Sequence, residues 1–144
     1  MKWTIGGSTW GFFGGDDPCA RVSLVQAVEA IVGAGLGIEI WPTSKAGDAG
    51  PSPDETSRIR DVLEDAPFAT IHIRPRYWHW SGESLKQEID LTAALGGRLL
   101  VLHPICVGLG DREARLEVEA VRRLAGYAAE QGVRLSLENL QDTA

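Results

Sequence analysis

No stretch of this chain approaches the roughly 20 consecutive apolar residues that a membrane-spanning helix requires. Its opening residues, Met1-Lys2-Trp3-Thr4-Ile5-Gly6-Gly7, contain no long apolar core of a secretory leader. A cytoplasmic protein with no membrane partner is the expectation. Cysteine is scarce: Cys19 and Cys106 stand far apart with no Cys-x-x-Cys spacing. That excludes a disulfide framework and a zinc knuckle, and reads as two small thiols in a reducing compartment. Positive charge is in deficit, with 14 Lys and Arg against 20 Asp and Glu for a net charge of −6. Such a chain repels phosphate backbones, so nucleic acid is not a favoured partner, whereas a small sugar or a divalent metal remains compatible. Linkers, low-complexity tracts and charge blocks are also missing, so residues 1–144 read as a single domain.

What is present is an alternation. Short β-branched or apolar runs are expected as strands at Trp3 to Gly7, Gly37 to Trp41, Phe68 to Ile73, Arg98 to Leu102 and Val133 to Leu137. Between them lie helical patterns. Ser23-Leu24-Val25-Gln26 has the form of a capping box, and Leu24, Val28, Ile31 and Val32 follow at helical spacing. Ser52, Pro53 and Glu55 announce a second helix, with Ile59, Val62 and Leu63 as its apolar face. A third starts near Glu83 and stops at Gly96-Gly97, and a long fourth, capped by Asp111, closes at Gly132. Strands separated by crossovers of this length pair in parallel.

The strands carry a second regularity. Each delivers a polar residue at or just beyond its carboxyl end, namely Ser8, Glu39, His72, His103 and Glu138, at intervals of 31, 33, 31 and 35 residues. Eight such units would fill about 250 residues, the usual length of a closed (β/α)₈ barrel. The expected fold class is therefore α/β, a partial TIM barrel of about five parallel strands and four helices. The expectation is the amino-terminal part of an incomplete barrel, pairing with a missing carboxyl-terminal half or with a second copy of itself, in which the inward residues Leu135 and Leu137 of the fifth strand lack their facing layer. The competing architecture, a doubly wound open sheet, wants a GxGxxG turn opening directly into a helix. Gly11-Phe12-Phe13-Gly14-Gly15 lacks that form and lies well before Ser23.

Barrel enzymes place their chemistry at the carboxyl ends of the strands. His72 in Thr70-Ile71-His72-Ile73-Arg74-Pro75, His103 in Leu102-His103-Pro104 and Glu138 in Leu137-Glu138-Asn139 come from successive strands and can converge. Two imidazoles and a carboxylate suit a divalent cation and leave positions for water or substrate. A lone strand-end histidine is more often structural, but three such groups together favour the metal. For Glu39 two readings stand, one toward substrate and one as a partner of Lys45 or a backbone amide. Trp10, Trp41, Trp78 and Trp80, with Tyr77 among them, fall in or beside carboxyl-end loops. Their rings either stack on a sugar or pack the loops onto the rim. Arg74 and Arg76 are either a phosphate clamp or exposed loop cations. His79 has no strand position to fix it.

A strand ending in Leu-Glu-Asn at the fifth position, after one ending in Leu-His-Pro at the fourth, resembles the xylose-isomerase-like barrel superfamily. The resemblance spans essentially the whole chain. It implies a sugar or sugar-phosphate isomerase or epimerase, acting through a divalent metal such as Mn, Zn, Mg or Co. Glu138 would be both metal ligand and proton carrier, and Glu39 would point toward the substrate; Trp10, Trp41 and Arg74 are placed near the substrate by their loop positions alone. An apurinic endonuclease branch of the same superfamily implies His72, His103 and Glu138 as a ligand set for a phosphodiesterase. The acidic charge and the few basic residues around the motifs count against that branch. A third reading is an inactive half-barrel that serves as a binding or assembly module. In either enzyme branch the remaining ligands come from strands six to eight, beyond Ala144.

Overall fold

A computed structural model of the chain describes residues 5–9, 12, 22–42, 50–74, 82–102 and 111–138, the side chains at 111–114, 116 and 117 excepted. Nine elements alternate along it. They are β1 (Gly6–Ser8), α1 (Leu24–Gly33), β2 (Gly37–Ile40), α2 (Pro53–Leu63), β3 (Ala69–His72), α3 (Gly82–Ala94), β4 (Leu99–Leu102), α4 (Asp111–Glu130) and β5 (Arg134–Leu137). Each expected strand and helix is found among the described residues, with boundaries shifted by one to three residues. Asp111, expected as a cap, is instead the first residue of α4.

The local reasons are visible in the backbone. Both capping boxes form: the Ser23 hydroxyl accepts from Gln26 N and the Ser52 hydroxyl from Glu55 N, each with the reciprocal side-chain bond. Helix α3 ends with Gly96 N donating to Ala93 O and Gly97 N to Thr92 O, while Gly96 takes φ +78. That is a Schellman termination, and the left-handed position needs glycine.

The five strands form one sheet in the order β1-β2-β3-β4-β5, all parallel. Sequential order is what separates a barrel wall from a doubly wound sheet, whose strand order reverses at its switch point. In register, Ser8 pairs with Glu39, Glu39 with Thr70, Ile71 with Leu100, His72 with Val101 and Leu99 with Arg134. Parallel partners share a face, so alternation sorts the sheet into two sides. Ile38, Ile40 and Ile71 pack with Leu24, Val28, Ile59 and their neighbours from α1 and α2. Ile73, Leu100 and Leu102 pack with Leu85 and Ile89 of α3 and with Ala120 and Ala128 of α4. All four helices therefore cover one side.

The other side carries Ser8, Glu39, Thr70, His72, Ser136 and Glu138. At its amino end the Phe68 ring lies across β1 and β2. A Cβ on Gly37 would sit 2.1 Å from that ring, so the close approach requires glycine. One expectation is corrected here. Leu135 and Leu137 were expected to point inward, but Leu135 packs with the α3–α4 cluster and Leu137 shares its side by alternation. The inward positions of β5 are Arg134 and Ser136, and Glu138 follows on the same side just past its end. Leu137 is 53% exposed, at the last strand of the sheet.

Candidate functional site

The carboxyl ends of β1, β2, β3 and β5 bring together Ser8, Thr9, Glu39, Trp41, His72 and Glu138. Alternation puts Ser8, Glu39 and His72 on the helix-free side, and register puts Ser8 beside Glu39. The Ser8 hydroxyl donates to Glu39 Oε1 at 3.1 Å, and the Trp41 indole Nε1 donates to the same oxygen at 2.7 Å. Both bonds fall on Oε1, which leaves Oε2 for a further donor among the described residues. Among the described residues no backbone amide donates to the Glu39 carboxylate, and Lys45, its other expected partner, lies outside them.

Thr9, which is fully buried, ties the rim to itself. Its backbone N–H donates to Glu39 O at 3.0 Å, and its hydroxyl accepts from Trp41 N at 2.8 Å. Trp41 is consequently fixed, and its ring stacks on His72 with centroids 3.5 Å apart and planes 9° from parallel. One face of the indole is spent on imidazole. The packing role expected of this tryptophan is filled by a site residue.

His72 is 1% exposed. Its Nδ1 lies 2.9 Å from Ile73 O. A carbonyl can only accept, so Nδ1 carries the hydrogen and Nε2 is the nitrogen turned to the site. Nε2 faces Glu138 Oε2 at 3.4 Å, too long for a good hydrogen bond. Glu138 is held by its backbone N–H, which donates to Leu102 O at 2.9 Å, while its carboxylate is half exposed. An imidazole fixed as the Nδ1–H tautomer, with its other nitrogen beside a carboxylate, is a donor pair for a cation. Two ligands of one ion at about 2.0–2.2 Å can stand this far apart. Among the described residues no third His, Cys, Asp or Glu joins them. His103, the expected third ligand, lies outside the described residues, as do Trp10, Arg76, Tyr77, Trp78, His79, Trp80, Cys19 and Cys106.

Arg74 is not an exposed loop cation. It is buried, and its Nε and Nη2 contact Glu88 Oε1 of α3 at 2.7 and 2.6 Å. Glu88 was missed, and a signal for it existed. Leu85, Glu88, Ile89 and Thr92 follow the i, i+3, i+4, i+7 pattern, so a carboxylate stands in the apolar stripe, where it persists only if paired. Thr9 had no comparable signal.

A cleft of about 650 Å³ opens at the opposite, amino, ends of the strands, lined among others by Arg60, Phe68, Thr70, Arg98, Leu99 and Arg134. It holds none of the residues above. No helix among the described residues is long and apolar enough to cross a membrane.

A family model described as xylose isomerase-like TIM barrel matches residues 28–144. Two crystal structures of the D-allulose 3-epimerase from Methylomonas sp. also match, both with a TM-score of 0.58. The one in complex with D-allulose is 24% identical, and the one with additional carboxyl-terminal residues is 25% identical. Each match covers 93% of this chain and 50% of that enzyme, so the chain spans about half the enzyme's length. No curated protein sequence matches.

Proposed function

The chain belongs to the xylose isomerase-like TIM-barrel family, and on that premise we propose that it is a metal-assisted sugar isomerase or epimerase, or the amino-terminal portion of one. The observation that carries this reading is the approach of His72 Nε2 and Glu138 Oε2 to 3.4 Å from two different strand ends. Glu39 stands on the same side of the sheet, and no described residue bonds its Oε2. The solved D-allulose complex of a half-matching enzyme supports a small sugar as the ligand.

His72 and Glu138 would hold a divalent ion such as Mn, Zn, Mg or Co, with His103 as the expected third ligand. The ion, when bound, supplies a Lewis acid that makes the hydrogen beside a sugar carbonyl more acidic. The chain's own residues do the rest. Glu138 takes that proton and returns it. Return to the neighbouring carbon isomerises the sugar, and return on the opposite face, by a second acid from the other half of the barrel, epimerises it. Glu39 accepts a hydrogen bond from a substrate hydroxyl through Oε2. The stacked Trp41 keeps the buried imidazole from water and fixes its plane. Arg74, engaged with Glu88, adds no support for a phosphate clamp, so an uncharged ketose is the first substrate to test.

The experiment is uptake of deuterium from deuterated water into candidate ketoses. Glu138→Gln keeps the shape and one coordinating oxygen but removes the base. Exchange should slow by about 10²- to 10⁴-fold, with folding hardly affected because the carboxylate is half exposed. Exchange at the parental rate in the variant would sink the mechanism.

A further inference from the structure

Glu88 lies on α3 and is not itself a candidate ligand, yet it is 1% exposed and bonded to the residue two places after His72. Its Oε1 holds the Arg74 guanidinium, and its Oε2 accepts from the Arg74 backbone N–H at 3.3 Å. That N–H belongs to the peptide joining Ile73 to Arg74. The carbonyl of the same peptide is the acceptor that fixes His72 Nδ1 at 2.9 Å. A planar peptide turns as one body, so whatever fixes its N–H fixes its C=O. One residue earlier the strand is still held by its neighbour, with Ile73 N donating to Val101 O at 2.9 Å. Beyond that bond the next backbone N–H is held by a side chain from α3.

From this chain of contacts we infer that Glu88 is a positioning residue for the site, setting the tautomer and plane of His72 through the Ile73–Arg74 peptide. Arg74 is the intermediate that keeps the buried carboxylate charged and in place, since an unpaired carboxylate there would be strongly disfavoured. The arrangement presents Nε2 as a lone pair toward Glu138. Loss of the acceptor lets the peptide rotate, after which the imidazole can carry its hydrogen on either nitrogen. The inference deepens the proposed function, because it gives the Nε2 lone pair a use only if His72 is a ligand.

The test is nitrogen-15 NMR of the histidine side chains at a pH where imidazole is neutral, which reads the tautomer with no metal added. Divalent titration with Zn²⁺ is run alongside. The parent should show His72 as the Nδ1–H form alone. Glu88→Met, which leaves no oxygen to accept from the Arg74 N–H, should give a mixture of tautomers and weaken Zn²⁺ binding by about 10- to 100-fold, the usual effect of removing a group that orients a ligand. If Glu88→Met does not fold, the paired change Glu88→Met with Arg74→Met removes both charges together and leaves no unpaired ion, and the same mixture is expected. A folded variant of either kind that keeps the single Nδ1–H tautomer overturns the inference, even if its melting temperature falls. Tautomer mixing in a protein whose parent binds no Zn²⁺ upholds the positioning of His72 but removes the metal reading.

Discussion

The two sides of the sheet differ in what their side chains are and in what holds them. On the helix-covered side, Ile38, Ile40, Ile71, Ile73, Leu100 and Leu102 are all almost completely buried among apolar groups. On the helix-free side, Ser8, Glu39, His72, Ser136 and Glu138 are polar, and the described bonds run between strand ends rather than into a core. Non-directional burial stabilises the first side, and directed bonds give the second its geometry. Stability and chemistry are thus assigned to alternate residues of the same strands. A strand of four residues serves both because its side chains alternate.

The largest test of that division is a pair of truncations one residue apart in β3. Ile71→Ala opens a cavity on the covered side and should cost about 2–5 kcal/mol. Thr70→Ala on the other side should cost about 0.5 kcal/mol or less. Urea denaturation of both variants gives the two values. Similar costs would break the comparison, and would mean that the helix-free side is also a load-carrying core.

Gly37 offers a smaller test at the amino end of the helix-free side, where Phe68 covers the sheet. Gly37→Ala places a methyl group inside the Phe68 ring and should cost about 1–3 kcal/mol. Because Phe68 is 41% exposed, its ring has room to leave. The cost should shrink to a few tenths of a kcal/mol in a Phe68→Ala background if the clash is its cause, which a double-mutant cycle measures. An undiminished cost would place the strain in the backbone instead.

The parts legible in the sequence were those set by local rules. The two capping boxes depend on four consecutive residues, and both formed as the spelling implies. The strand-end periodicity placed Glu39, His72 and Glu138 on one rim because each strand and its helix form a repeating unit of nearly constant length. The absolute phase of β5 was not legible, because alternation fixes which residues share a side but not which side the helices cover. Leu135 and Leu137 were accordingly put on the wrong one. The engagement of Arg74 with Glu88 joins a strand end to a helix interior 14 residues on, a contact that only the packing of α3 decides. The stacking of Trp41 on His72 depends on β2–β3 register and on Thr9, so it too needed the fold.

The smallest effect expected is at the α2 cap, which belongs to the helix layer although it lies beyond the carboxyl end of β2. Ser52 N and Oγ both donate to Glu55 Oε2 at 2.9 Å, and these bonds hold the Glu55 carboxyl below its ordinary value of 4.5. A folded-state value below the unfolded one means that the carboxylate's contribution is fully present above 4.5 and is lost as the pH falls through the lower folded value. Ser52→Ala removes the hydroxyl's bonds to Glu55 N and to Glu55 Oε2, leaves the Ser52 backbone N–H on Oε2, and should cost about 1 kcal/mol at neutral pH. On the acid side of 4.5 the difference between parent and variant should narrow, because protonated Glu55 no longer favours the capped form. Denaturation curves at both pH values measure it, with the His72 tautomer read in the same samples at neutral pH. The tautomer should not change in Ser52→Ala, since the cap touches none of the bonds that fix the imidazole. A shifted tautomer would show that the helix layer and the site are coupled through α2, and the separation of the two sides would then fail at its weakest point.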